Sequence, residues 1–148
     1  MTLEAILAAF HLLAILTFVV FLSSQAALCR SEWMNAAVVE RLVRLDVIYG
    51  AAALVMIGSG LARLLWGIKG VSWYVSQPLF HIKITIVVVM AILSIWPSIM
   101  FRRWRRNLQA SGALPDELEV KKVRRLVMIQ SHVLPVVAVI AVFWARGW

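Results

Sequence analysis

Charge is scarce in this sequence. Of 148 residues only 15 % are Asp, Glu, Lys or Arg, while 63 % are hydrophobic. A soluble domain is nearer a quarter charged and half apolar. Acids are rarest, seven against fifteen bases. That shortage of polar residues excludes a soluble globular enzyme and a disordered tail. Cys29 is the lone cysteine, which excludes a disulfide-stapled miniprotein. Zinc-ligand spacing, a phosphate-binding Gly-rich loop and a nucleophile–His–acid arrangement are all missing. No Lys or Arg precedes Arg30, and the first apolar run is far longer than the core of a signal peptide. Leu28, just before Cys29, is too bulky for a good lipoprotein cleavage site, so this segment is expected to stay in the protein.

What the sequence has instead is four long apolar runs, at about residues 3–28, 45–66, 78–100 and 126–145. Each reaches the roughly 20 residues that a bilayer-spanning helix needs. The expected fold is all-α: an integral membrane four-helix bundle forming a single transmembrane domain over residues 1–148, in contact with the lipid bilayer. Residues 101–125 read as a loop. Its breaker cluster, Ser111-Gly112-Ala113-Leu114-Pro115, is followed by a run that is acidic at Asp116 and basic by Arg125, the order a helix dipole favours. A helical extension of the fourth span is therefore expected there.

The basic residues then report topology. Arg30, Arg41 and Arg44 lie in the first loop; Arg102, Arg103, Arg105, Arg106, Lys121, Lys122, Arg124 and Arg125 lie in the third. The other side has only Lys69, Arg146 and, at a helix end, Arg63. By the positive-inside rule the first and third loops are cytoplasmic and both termini lie on the outer, periplasmic side. The net charge of +8 thus follows from topology and calls for no nucleic acid. The run Arg102–Arg106 reads as a stop sequence with an interfacial Trp104, and as an anionic-lipid patch in the sharper alternative. Trp66, Trp73, Tyr74, Trp144 and Trp148 fall at the outer boundary, as an aromatic belt does.

Ionisable groups inside a span are costly and mark candidate sites. Glu4, His11, Arg63, His81 and Lys83 come to the outer half from three helices, with Arg146 nearby. His11 lies seven residues beyond Glu4, roughly 10 Å deeper at 1.5 Å per residue, too deep for an imidazole to snorkel. An inner group comprises Asp46, Tyr49, Gln130, Ser131 and His132. Asp46 reads there as a first-turn acid serving the helix dipole, and Gln130 and Ser131 as interhelical hydrogen-bonding groups. Gly50, Ala51, Ala52, Ala53, Gly58, Ser59, Gly60 and Ala62 make the second span lean, which allows close helix approach. Pro97 and Pro135 are tolerable kinks. Four-helix bundles build cofactor sites from facing side chains. Two histidines at similar depth therefore suggest a metal pair, His11 and His81, as axial ligands of a haem b. Arg63 and Lys83 then complete the cofactor-binding group as partners for propionates near the surface, which Arg146 would also neutralise.

The segments around His11, Leu45–Gly60, Gly67-Ile68-Lys69-Gly70, Pro78-Leu79-Phe80-His81-Ile82-Lys83, Phe101-Arg102-Arg103-Trp104 and Ala145-Arg146-Gly147 resemble the bacterial membrane family named only as domain of unknown function 2214. A more distant likeness links His11 and Phe80-His81-Ile82-Lys83 to the HemJ-type protoporphyrinogen oxidases. The CopD-like copper-resistance membrane proteins share the early histidine of the first span. That resemblance implies b-type haem, with His11 as axial ligand and Lys83 as a functional partner. The chain departs from the HemJ-type pattern at Ile95-Trp96-Pro97, where that group has paired histidines, and it lacks the charge that follows the first-span His.

The leading expectation is therefore a small polytopic protein of the bacterial inner membrane with haem b and an electron-transfer, quinone- or porphyrin-linked role. One alternative is a structural or assembly partner of a membrane complex with no cofactor. The other is a transporter or binder with an outward-facing polar pocket, which requires a homo-oligomer because four helices are few for alternating access. Cys29, Asp46 and His132 receive no function from the sequence.

Overall fold

In the computed structural model, which describes residues 2–67 and 70–145, the chain is a run of helices. They are α1 (Thr2–Leu28), a 3₁₀ turn (Ser31–Trp33), α2 (Ala36–Trp66), a short α3 (Gly70–Val75), α4 (Pro78–Ser111) and α5 (Glu117–Ala145). Four of these are long and apolar enough to cross a membrane. α1 packs most extensively on α2, α2 on α4, α4 on α5, and α5 closes back on α1. Lys69, Arg146 and Trp148 lie outside the described residues, as does the side chain of Trp144.

The helices overrun the apolar runs, and local chemistry sets where they stop. α2 begins at Ala36 because the Asn35 side chain accepts the Val38 N–H at 3.0 Å, an N-cap that satisfies one of the orphan donors of a helix start. α4 opens on Pro78, whose missing N–H is harmless in a first turn. It continues through Arg102–Arg106 and ends only at Gly112, which adopts φ 71° and donates its N–H to Leu108 O at 2.9 Å. Most of the expected 101–125 loop is thus helix, and the connection shrinks to the breaker cluster and Asp116. The expected extension of the fourth span is present, since α5 starts at Glu117 with the Leu118 N–H on the Asp116 carboxylate at 3.0 Å.

These extensions carry the tightest packing. Leu22, Val39, Leu42, Phe101, Trp104, Val120, Val123 and Val127 are almost wholly buried at the end of the bundle that bears the basic loops. At the other end, no described side chain of α5 beyond Gln130 is buried. The contrast has a physical cause. Near water, apolar side chains gain by leaving it; in a bilayer, lipid tails are as apolar as leucine and that drive vanishes. The Trp104 Nε1–H donates to Glu119 at 2.5 Å, and Arg103 pairs with the same carboxylate, which clamps α4 to α5. Tyr74, one of the aromatics at the expected outer boundary, packs within the chain. It turns inward and is buried, its hydroxyl against Gly67, whereas Trp66 is exposed.

Candidate functional site

α1 buries one stripe, His11, Ala14, Phe18, Leu22, Gln25 and Ala26, and Cys29 continues it just past the helix end. The spacing follows the 3.6-residue period, and His11 is its outermost buried member, 8 % exposed. His11 Nδ1 lies 2.8 Å from Ser59 Oγ on α2. The Ser59 hydroxyl donates to Met56 O at 3.1 Å, so its single proton is already used. In the tautomer protonated at Nδ1, the imidazole donates to Ser59 Oγ and its lone pair stands on Nε2. Gly60 lies flat against the ring: a Cβ there would stand 3.3 Å from His11 Cε1. Lys83 on α4 and Arg63 on α2, both half-buried, lie within electrostatic reach of the imidazole.

His81 is placed otherwise. It is exposed, its Nε2 lies 2.7 Å from Val75 O, and its ring stands edge-on to Phe80 at 5.7 Å. Residues two apart on a helix point about 200° apart, so with Lys83 turned inward, His81 faces out. Glu4 is half-buried one heptad above His11. The geometry brings His11, Ser59, Gly60, Lys83 and Arg63 together. No group of three His, Cys, Asp or Glu suited to a metal ion occurs among the described residues.

The model of the predicted membrane protein family DUF2214 matches residues 3–148. The chain belongs to that family. No curated protein and no solved structure matches it. Function in this DUF2214 protein must therefore be argued from its own side chains.

The inner group of this DUF2214 protein is more buried than the outer one. Asp46 is 4 % exposed and accepts from Ser98 Oγ at 2.6 Å. It does not serve the dipole at a helix start, because α2 begins ten residues earlier at Ala36 and Asp46 sits in its third turn. Tyr49 donates to Gln130 Oε1 at 3.2 Å, so Gln130 does join two helices. Ser131 bonds to Met128 O of its own helix. His132 is exposed and bonds to that same carbonyl at 2.6 Å. Gln25, Ser94 and Ser98 also face this group; in the sequence, Gln25 could have been found from its place on the α1 stripe at the 3.6-residue period.

Beyond the membrane spans, Cys29 is fully buried, its Sγ 4.0 Å from Val120 O. Burial pushes its thiol up to about 12, partly opposed by the positive charge of Arg124. It is a protonated packing residue.

Proposed function

We propose that this chain is a small multi-pass protein of the bacterial inner membrane. In this reading it binds one b-type haem in the half of the bundle away from the basic loops and has an electron-transfer or other redox role. The observation that carries this is the Met56–Ser59–His11 chain. Histidines that bind metal almost always donate their other ring N–H to a fixed partner, which sets tautomer and orientation. In the tautomer protonated at Nδ1, His11 does this through its contact with Ser59 and presents the lone pair of Nε2. The donor set fits haem iron from one side.

His11 would hold the iron, and Lys83 and Arg63 would meet the propionates through charge-assisted hydrogen bonds. His81 is exposed, on the side of α4 away from Lys83 and His11, so the reading is ligation by His11 alone. A bound haem supplies a one-electron couple. The chain's own contribution is to fix the imidazole and place two cations beside it. The basic ends are assigned to the cytoplasm by the positive-inside rule, which puts the haem half and both termini on the outer side. A quinone or a protein redox partner would reach it there.

One observation favours a second reading, a structural or assembly partner without cofactor. His81 is exposed and faces away from His11, so the two histidines form no pair. Absorption spectra separate the two. The full chain is expressed with haem supplementation, purified in mild detergent and compared with His11→Ala, His81→Ala and Lys83→Ala, with helicity checked by circular dichroism. The haem reading expects a Soret band that His11→Ala abolishes and His81→Ala retains. A wild-type protein without a Soret band, or a band indifferent to His11→Ala in a folded variant, overturns it.

A further inference from the structure

The inner polar group is a separate site. Asp46 and Ser59 are thirteen residues apart on α2, about 20 Å at 1.5 Å per residue, and buried Phe18, Ala52 and Met90 lie between the two levels. All four long helices contribute to it. α1 gives Gln25, α2 Asp46 and Tyr49, α4 Ser94, Ser98 and Arg102, and α5 Gln130. Arg102 is exposed, one helical turn beyond Ser98 toward the basic end.

The hydrogen bonding of this group does not close within the protein. Gln25 and Gln130 are each 2 % exposed, and the Nε2 of each has no partner among the described residues. Gln25 approaches the Asp46 carboxylate without reaching ordinary hydrogen-bond geometry. Leaving a buried amide donor unpaired costs about 1–3 kcal/mol. Asp46 has the opposite surplus: a carboxylate offers about four acceptor positions, and Ser98 fills one. Donors in excess and acceptors in excess, in one buried layer, are the condition that internal water meets, because a buried water typically makes about three hydrogen bonds to such groups.

We propose that Asp46 is a proton-exchanging carboxyl in a hydrated chamber bounded by Gln25, Tyr49, Ser98 and Gln130, reached from the basic end past Arg102. Uptake moves one proton from water to an Asp46 carboxylate oxygen and leaves hydroxide to the bulk; release reverses it. Ser98 serves both states. Its hydroxyl donates to the carboxylate and turns to accept from the acid. Among the described residues, the charged and titratable groups facing Asp46 are Tyr49 on its own helix and Arg102 on α4, and α1 and α5 present neutral amides. The inference is independent of the haem reading.

Infrared difference spectra of the full chain in lipid nanodiscs test it, taken as the bulk pH is stepped and then after exchange into deuterium oxide. The expected result is a carboxylic-acid carbonyl band that titrates and shifts on deuteration within the mixing time. Asp46→Asn loses that band. Ser98→Ala, which keeps the carboxyl and removes one hydroxyl, displaces it in frequency, so the test survives a misfolded Asp46→Asn. A wild type with no titrating band overturns the proposal. So does a band that persists in folded Asp46→Asn, one that Ser98→Ala leaves in place, or one that stays unexchanged for hours.

Discussion

Gly60 and Gly58 offer a controlled measurement of where His11 sits. Both lie on α2, and both become alanine by adding one methyl group. At Gly58 that methyl meets nothing within 4 Å; at Gly60 it meets His11 Cε1 at 3.3 Å and Nδ1 at 3.9 Å. Replacing a mid-helix glycine by alanine gains roughly 0.5–1 kcal/mol from the backbone, and this term is common to the two variants. At Gly60 the imidazole must also move by a few tenths of an ångström while tied to Ser59 at 2.8 Å, and crowding of this kind costs about 1 kcal/mol at the low end of its range. Gly58→Ala should therefore stabilise the protein, and Gly60→Ala should trail it by about 1 kcal/mol. The assay is equilibrium unfolding in mixed micelles, followed by circular dichroism. Repeating the pair in a His11→Ala background removes the obstacle, and the gap should close to within about 0.5 kcal/mol, the usual limit of additivity. A Gly60→Ala protein as stable as Gly58→Ala, or a gap that survives the loss of His11, would refute the placement of the imidazole and with it the site.

Two further outcomes follow at the basic end. Trp104→Phe keeps most of the buried ring but deletes the donor to Glu119, and should cost about 1–2 kcal/mol, since this hydrogen bond to a charged group is partly solvent-screened. In a Glu119→Gln background, unfolding titrations should find that cost roughly halved; an undiminished cost would remove the bond as the cause. Cys29, with its thiol pushed from 9.0 to about 12, should alkylate at pH 8 about a thousandfold more slowly in the folded protein than unfolded, because only the thiolate reacts. The sign for stability follows: a group held protonated by folding contributes fully below pH 9.0 and loses that contribution as pH rises toward about 12. Rapid native labelling at pH 8 would contradict the burial.

The four spans were legible because an apolar run of bilayer length admits few other structures. Helix ends were not, since the span criterion measures apolar length while caps set helix length. Asn35 and Gly112 lie ten or so residues beyond the apolar limits, and that difference carried Asp46 from an apparent first turn into the buried third. The polar contacts were legible as residue types but not as directions. Phe80-His81-Ile82-Lys83 looks like one motif, yet a helix sends its His and Lys to different sides, and only Lys83 joins His11.

The same geometry says what holds these helices in register. Without a hydrophobic drive between spans, polar contacts and close packing choose the neighbours. α2 supplies one side of three membrane-level contacts: Ser59 to His11 on α1, Asp46 to Ser98 on α4, and Tyr49 to Gln130 on α5. Interhelical hydrogen bonds in bilayers average about 0.6 kcal/mol each, so together they give roughly 2 kcal/mol, too little to hold the bundle. The buried apolar layer around Leu42, Phe101, Trp104 and Val123 must do that. Helices anchored at one end, and only oriented by single polar contacts farther out, would let His11 take a ligand and Asp46 a proton without loss of the fold, as the two proposals require.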